Sequence, residues 1–250
     1  LAITTLIFLA TGGQYRNVRL TVIGSSPAWA NPGSAHSGYL VDGRGRLLLD
    51  CGPGVLAGLR LRIASWPPAD AIVVTHLHLD HVADLVGWQW AQLMGPGRGG
   101  DPVPLWLPPG GSAELRGLLH READAFSVRE YRARESFDAA GFRVTALPVV
   151  HYGRDAFGLR VEDGDSSLAY SGDTAPTPAL VELARGADLF LCEATLAEVE
   201  RAPRGHLTAG EALEAAAAAG ARRTVLTHRP VELPRPDGCE LAVDGAVLEV

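Results

Sequence analysis

Lysine is absent: all 22 basic residues of this 250-residue chain are arginine, a compositional bias with little mechanistic content. Cysteine is scarce. Cys51, Cys192 and Cys239 are far apart, and none has a second cysteine at metal-ligand spacing. That excludes a disulfide framework and a cysteine-based zinc knuckle, and leaves structural thiols in a reducing cytoplasm as the expectation. Positive charge is in deficit, and a net charge of -7 gives no sequence-wide attraction for phosphate backbones. A nucleic-acid partner would need a local basic patch. No Gly-x-Ser-x-Gly elbow occurs, which disfavours a serine hydrolase. No solenoid-like repeat and no linker interrupt the chain, so one large domain is expected. What is abundant is apolar surface: 47% hydrophobic against 20% charged residues, the balance of a soluble globular domain.

Leu1 to Ala10 are almost wholly apolar, and no basic residue precedes Arg16. This stretch supplies neither the roughly 20 apolar residues of a membrane span nor the positive leading region of a signal peptide. The expectation is an extension over residues 1–17 from a misplaced translation start, ahead of a domain over 18–250 that opens at Val18. A truncated export signal is the alternative. No membrane partner is expected.

Apolar, β-branched runs predict strands at Leu20 to Ile23, Gly38 to Val41, Leu47 to Asp50 and Ala71 to Thr75. Helices are predicted at Val55 to Arg62, Val82 to Leu93 and Ala113 to Ala125. Further strands follow near Phe142 to Pro148, Phe157 to Val161, Leu168 to Ser171, Ala187 to Cys192 and Thr224 to Thr227, with a helix at Pro178 to Arg185. Thr208-Ala209-Gly210-Glu211 is a capping box, predicting a helix from Ala209 to Ala219 that stops at Gly220. The tail is expected to close as a hairpin.

The strand Ala71 to Thr75 leads directly into His76-Leu77-His78-Leu79-Asp80-His81. Four potential donors in six residues at a strand end suit zinc or a related divalent ion, and do not suit a histidine packed in a core. His151, Asp173 and His228 follow in the same order, each at the end of an apolar run.

With these residues in place the chain resembles the metallo-β-lactamase superfamily from about Val18 to its C-terminus. The resemblance implies a four-layer αβ/βα sandwich of the α/β class, with two mixed sheets face to face and the metals at one edge. It implies that His76, His78 and His151 bind one metal, that Asp80, His81 and His228 bind the other, and that Asp173 bridges them. Zinc is the first choice, with manganese or iron accepted by the same donors. Two ions about 3.5–4 Å apart would bring a bridging water toward hydroxide at neutral pH and stabilise the oxyanion its attack creates. Asp50 matches an early carboxylate that orients a ligand imidazole; a turn-forming Asp before Gly52-Pro53-Gly54 is the alternative.

Three catalytic residues are expected: Asp80, His206 and Glu193. In related tRNA-processing enzymes a His-x-Thr segment like His206-Leu207-Thr208 supplies a proton-donating or phosphate-contacting His, so His206 is assigned the leaving oxygen. Glu193 is expected to hydrogen-bond His206 or a ligand imidazole. A solvent-exposed loop residue is the alternative for His206. His36 and His120 belong to no motif and are expected at the surface. Trp88 and Trp90 lie two apart on a helix and face different sides, so at most one reaches a substrate.

The metal motif is shared by enzymes of β-lactams, thioesters, lactones and phosphodiesters. The main zinc β-lactamases use a Cys among their second-site ligands where this chain has Asp173, which argues against β-lactams. Ser171 to Thr174, Glu193 to Thr195 and His206 to Thr208 resemble the phosphodiesterase branch, including tRNA 3′-processing endonucleases. The arm those enzymes insert between the third and fourth motifs has no counterpart between His151 and Asp173. The chain is also similar to actinobacterial cyclic-nucleotide-degrading phosphodiesterases, through Leu191 to Ala194 and the His-Leu segment before an Ala-rich helix. The expected substrate is therefore a small phosphodiester such as a 3′,5′-cyclic nucleotide. RNA cleavage, a lactonase or thioesterase activity, and a metal scaffold without turnover are the alternatives, in that order. A homodimer is left open.

Overall fold

Strand β1 (Arg19–Gly24) shows how one apolar run serves two cores. Leu20 and Val22 enter a central cluster, while Ile23 enters a second cluster on the opposite face. The same alternation runs through β2 (Gly38–Asp42), β3 (Arg46–Leu49) and β4 (Ala71–Val73), where Tyr39, Leu49 and Val73 face the centre and Leu40, Leu48 and Ile72 face outward. Strands buried on both faces read as continuous apolar runs, because the period-2 pattern has no polar phase to show.

The computed structural model describes residues 18–250, so the extension expected over 1–17 lies outside the described residues. The chain continues through β5 (Val103–Leu107), β6 (Phe126–Glu130), β7 (Ser136–Ala139), β8 (Phe142–His151), β9 (Arg154–Asp163) and β10 (Ser166–Tyr170). It closes with β11 (Leu189–Glu193), β12 (Thr224–Thr227), β13 (Glu240–Leu241) and β14 (Val247–Glu249). Among the described residues these form two seven-stranded sheets, ordered β14-β1-β2-β3-β4-β5-β6 and β13-β12-β11-β10-β9-β8-β7.

The central cluster joins the inner faces of both sheets. Helices α1 (Val55–Arg62) and α3 (Leu85–Met94) cover the outer face of the first sheet through Val55, Leu59, Leu85 and Trp88. Helices α6 (Pro178–Leu183) and α7 (Ala209–Ala219) cover the second through Leu180, Leu183, Ala212 and Ala216. The result is the expected four-layer αβ/βα sandwich. Helix α7 starts on the expected box, with Glu211 N–H bonded to Thr208 Oγ1 at 3.3 Å and Thr208 N–H to Glu211 Oε2 at 2.9 Å. It ends at Gly220 in the left-handed region, φ 64.

Several elements differ from the sequence expectation. The helix expected over Ala113 to Ala125 is two short pieces, α4 (Gly111–Leu115) and α5 (Glu122–Ala125). Gly117 weakens the middle, and the Arg121 N–H leaves the helical ladder to bond Gln89 Oε1 at 3.0 Å. The helix expected over Val82 to Leu93 is also divided, into α2 (Leu79–Val82) and α3, so Asp80 and His81 already lie on a helical turn. The break falls at Asp84, whose carboxylate accepts the Leu56 N–H at 2.8 Å. The tail forms no hairpin. β13 adds parallel to β12 and β14 antiparallel to β1, in different sheets. Among the described residues no helix is long and apolar enough to cross a membrane.

Candidate metal centre

The chemistry-bearing residues leave the carboxyl ends of strands along one edge. Asp50 follows β3, His76 follows β4, His151 ends β8, Asp173 follows β10, Glu193 ends β11 and His228 follows β12. Parallel pairing of β3 with β4, and of β10 with β11 and β11 with β12, aligns these ends. Gly172 is needed just before Asp173: its φ is 56, and a Cβ there would meet the Phe157 carbonyl oxygen at 2.7 Å.

All seven residues expected as ligands come together, in two groups. His76, His78 and His151 form one; Asp80, His81, Asp173 and His228 form the other. His78 Nδ1 lies 3.1 Å from His76 Nε2 and 2.9 Å from His151 Nε2. Asp173 Oδ2 lies between the groups, 3.8 Å from His76 Nε2, 3.4 Å from His81 Nε2 and 3.5 Å from His228 Nε2. Asp80 Oδ2 closes the second group at 3.2 Å from His228 Nε2 and 3.5 Å from His81 Nε2.

The outer ring nitrogens are fixed from behind, which leaves the inner ones free. Asp50 accepts from His81 Nδ1 at 2.8 Å, and also from Thr75 N at 2.7 Å and Tyr170 Oη at 2.9 Å. Thr75 Oγ1 donates to Asp50 Oδ2 at 2.9 Å and meets His76 Nδ1 at 3.1 Å, so one hydroxyl relays the carboxylate to a second imidazole. The other sheet repeats this device. Thr195 Oγ1 bonds Glu193 Oε2 at 2.7 Å and His228 Nδ1 at 2.9 Å. His151 Nδ1 donates to the Gly205 carbonyl at 2.8 Å. Such partners fix the tautomer and aim of a metal-binding imidazole.

The donor set fits a pair of divalent cations. His81 Nε2 and Asp173 Oδ1 are buried polar atoms with no hydrogen-bond partner, and both residues belong to the group of donors that would share an ion. Burial disfavours a charged His81, yet Asp173 and Asp50 overcome it and hold its pKa well above the usual imidazole value. Burial likewise opposes ionisation of Asp80, but the His228 hydrogen bond and the His81 charge bring its carboxyl down to about 2. Carboxylates that draw protons so strongly onto neighbouring imidazoles favour a cation in the same place.

His206 joins the cluster from the loop before α7. Its Nδ1 lies 2.8 Å from Glu193 Oε1, and its ring stacks at 5.7 Å on His228 and meets His151 edge-on at 5.0 Å. Burial lowers its affinity for a proton, but the Glu193 hydrogen bond and charge outweigh that and raise the pKa to about 9. Of its two expected partners Glu193 bonds His206, while the His228 imidazole is linked to it only through the Thr195 hydroxyl. His36 is half-buried, and His120 is exposed. Trp88 is fully buried against Trp66 at 5.3 Å, while Trp90 is half exposed.

A fold of two such sheets with a His/Asp cluster on the loops of one edge defines a metallo-hydrolase. The chain belongs to the β-lactamase superfamily, whose domain matches residues 45–229. An uncharacterized protein of Mycobacterium leprae is 37% identical over 236 residues, covering 90% of this chain and 82% of that protein. The solved structure of the metallo-β-lactamase fold protein YhfI from Bacillus subtilis superposes with a TM-score of 0.84 at 26% identity, covering 94% of this chain and 100% of that one. Human tRNase Z, short form, superposes with a TM-score of 0.74 at 25% identity, covering 92% of this chain and 98% of that one. The chain is thus a metal-dependent hydrolase related to ribonuclease Z, and its fold implies divalent metals.

Proposed function

We propose that the chain hydrolyses a small phosphodiester, with a 3′,5′-cyclic nucleotide as the leading substrate. The observation that carries this reading is the His206–Glu193 pair beside the cluster. With Nδ1–H held by Glu193 at 2.8 Å, His206 has its other nitrogen, Nε2, available to deliver a proton. A His206 ring nitrogen lies within 4.8 Å of His151 and Asp173 donor atoms, next to where a bound phosphoryl group would stand. An alkoxide leaving from phosphorus is a poor leaving group, and a positioned acid of this kind relieves it.

His76, His78 and His151 would hold one ion, Asp80, His81 and His228 the other, with Asp173 shared; zinc is proposed, with manganese or iron fitting the same donors. Bound there, such ions supply Lewis acidity that ionises water and offsets charge on phosphoryl oxygens. Asp50, Thr75 and Thr195 hold the ring nitrogens of His81, His76 and His228, and Glu193 keeps His206 turned to the site.

The short β9–β10 hairpin supports a small substrate. Only this hairpin, turning at Gly164 and Asp165, fills the interval between His151 and Asp173. No arm for gripping a folded RNA extends from it, which favours a small diester over tRNA. Likeness to human tRNase Z keeps RNA 3′-end cleavage as the second reading. Three unpaired cysteines suit a cytoplasmic setting.

The test is turnover of 3′,5′-cyclic AMP, a 3′-extended tRNA and a lactone by the zinc- or manganese-loaded protein. Cyclic AMP is expected to give the highest kcat/KM, lost in Asp173→Ala. A preference for the tRNA would support the second reading, and cleavage of the lactone alone would refute both.

A further inference from the structure

The turn joining β8 to β9 carries a cation that the metal cluster does not use. Tyr152 and Gly153 form its two central positions, both with positive φ, 46 and 77. His151 and Arg154 therefore face each other across the hairpin as register partners. Directly opposed residues of an antiparallel pair project from the same face, so the Arg154 side chain leaves on the side of the His151 imidazole.

Arg154 is not locked in place. Its Nη1 meets Glu114 Oε1 of α4 at 2.9 Å, with 47% and 53% of the two side chains exposed. An ion pair this open to water contributes little and exchanges readily. A phosphoryl group offers the guanidinium two charged oxygens at matching spacing, a stronger partner than one solvated carboxylate. The reacting group of a lactone or thioester carries no charge to offer it.

We propose that Arg154 is a substrate-contacting residue that releases Glu114 to grip the non-bridging oxygens of a phosphoryl group held at the cluster. The hairpin turn would then select anionic diesters against neutral esters. This inference rests on the phosphodiester reading and names the residue that enforces it.

Binding of inorganic phosphate to the zinc-loaded full chain, by calorimetry, tests it with Arg154→Met and Glu114→Gln. Both variants break the same surface pair, so a merely structural clip would shift both in the same direction. Contact with the anion gives opposite signs: Arg154→Met weakens phosphate binding about tenfold, while Glu114→Gln tightens it about twofold. Arg154→Met should also raise KM for cyclic AMP. Equal weakening by both variants, no change in Arg154→Met, or a wild-type chain that binds no phosphate would overturn the inference. Absence of diester turnover with Arg154-dependent phosphate binding intact would instead count against the phosphodiester reading alone.

Discussion

Replacing Asp50 removes one carboxylate from behind the cluster without touching any residue assigned to metal. Asp50 is fully buried and accepts from Thr75 N, Thr75 Oγ1, His81 Nδ1 and Tyr170 Oη, all within 3.1 Å. In Asp50→Ala these donors lose their acceptor inside the protein. An unsatisfied buried donor costs about 1–3 kcal/mol, and such losses are not additive, so a total of about 3–5 kcal/mol is expected. Alanine also sits poorly at the φ of 58 that this position adopts. Asp50→Asn keeps an acceptor for Thr75 N and tolerates that backbone, but its amide N–H₂ would face the His81 nitrogen and the Thr75 and Tyr170 hydroxyls that now donate to Oδ2. His81 must then move its proton to Nε2, the nitrogen turned toward Asp173. Asn should therefore lose less stability than Ala yet lose zinc affinity comparably, about 10–100-fold. Urea unfolding of the zinc-stripped variants separates stability from metal affinity, and a chelator competition reads the affinity. Wild-type zinc affinity in both variants would refute the assignment of Asp50 as the orienting partner of His81.

Other substitutions probe the rest of the site. His206→Gln should lower kcat about 10²–10⁴-fold with metal content unchanged, as expected for loss of a positioned acid; parallel loss of zinc, measured by mass spectrometry, would make it a metal-holding residue instead. Gly205→Ala would drive a methyl into the Tyr152 ring and shift the carbonyl that holds His151, with an expected stability loss of about 1–3 kcal/mol in urea titration. Cys51 and Cys192 are buried, and burial first, then Asp84 near Cys51 and Glu193 near Cys192, raises both thiol pKa values. Less thiolate at pH 8 means slower reaction, so a disulfide reagent should label half-buried Cys239 in the folded chain and the other two only on unfolding.

The metal residues were legible because chemistry compressed them. Four donors in His76 to His81 have no common structural explanation, and His151, Asp173 and His228 each lie at or just beyond the end of an apolar strand. Behind them, the carboxylates Asp50 and Glu193 were legible through the resemblance, but the hydroxyls that link them to the imidazoles were not. Thr75 and Thr195 look like ordinary strand-end residues, and Tyr170 ends a core strand; only folding brings Tyr170 Oη to Asp50, 120 positions away in sequence. For Thr75 the single available signal was a hydroxyl immediately before His76. Strands β5, β6 and β7 went unread because proline, arginine and short length mask their alternation, as in Val103–Leu107 and Phe126–Glu130. Helix boundaries failed where tertiary bonds intervene, at Asp84 with Leu56 and at Arg121 with Gln89.

The most direct test of a paired metal centre is the zinc retained per chain after loading and exhaustive dialysis, measured beside Asp173→Ala. The expected result is two ions in the wild-type chain, one for each group of donors, and fewer than two in the variant that lacks the shared carboxylate. A wild-type chain holding one ion or none, or an Asp173→Ala chain that keeps two, would contradict the arrangement of ligands argued from this fold.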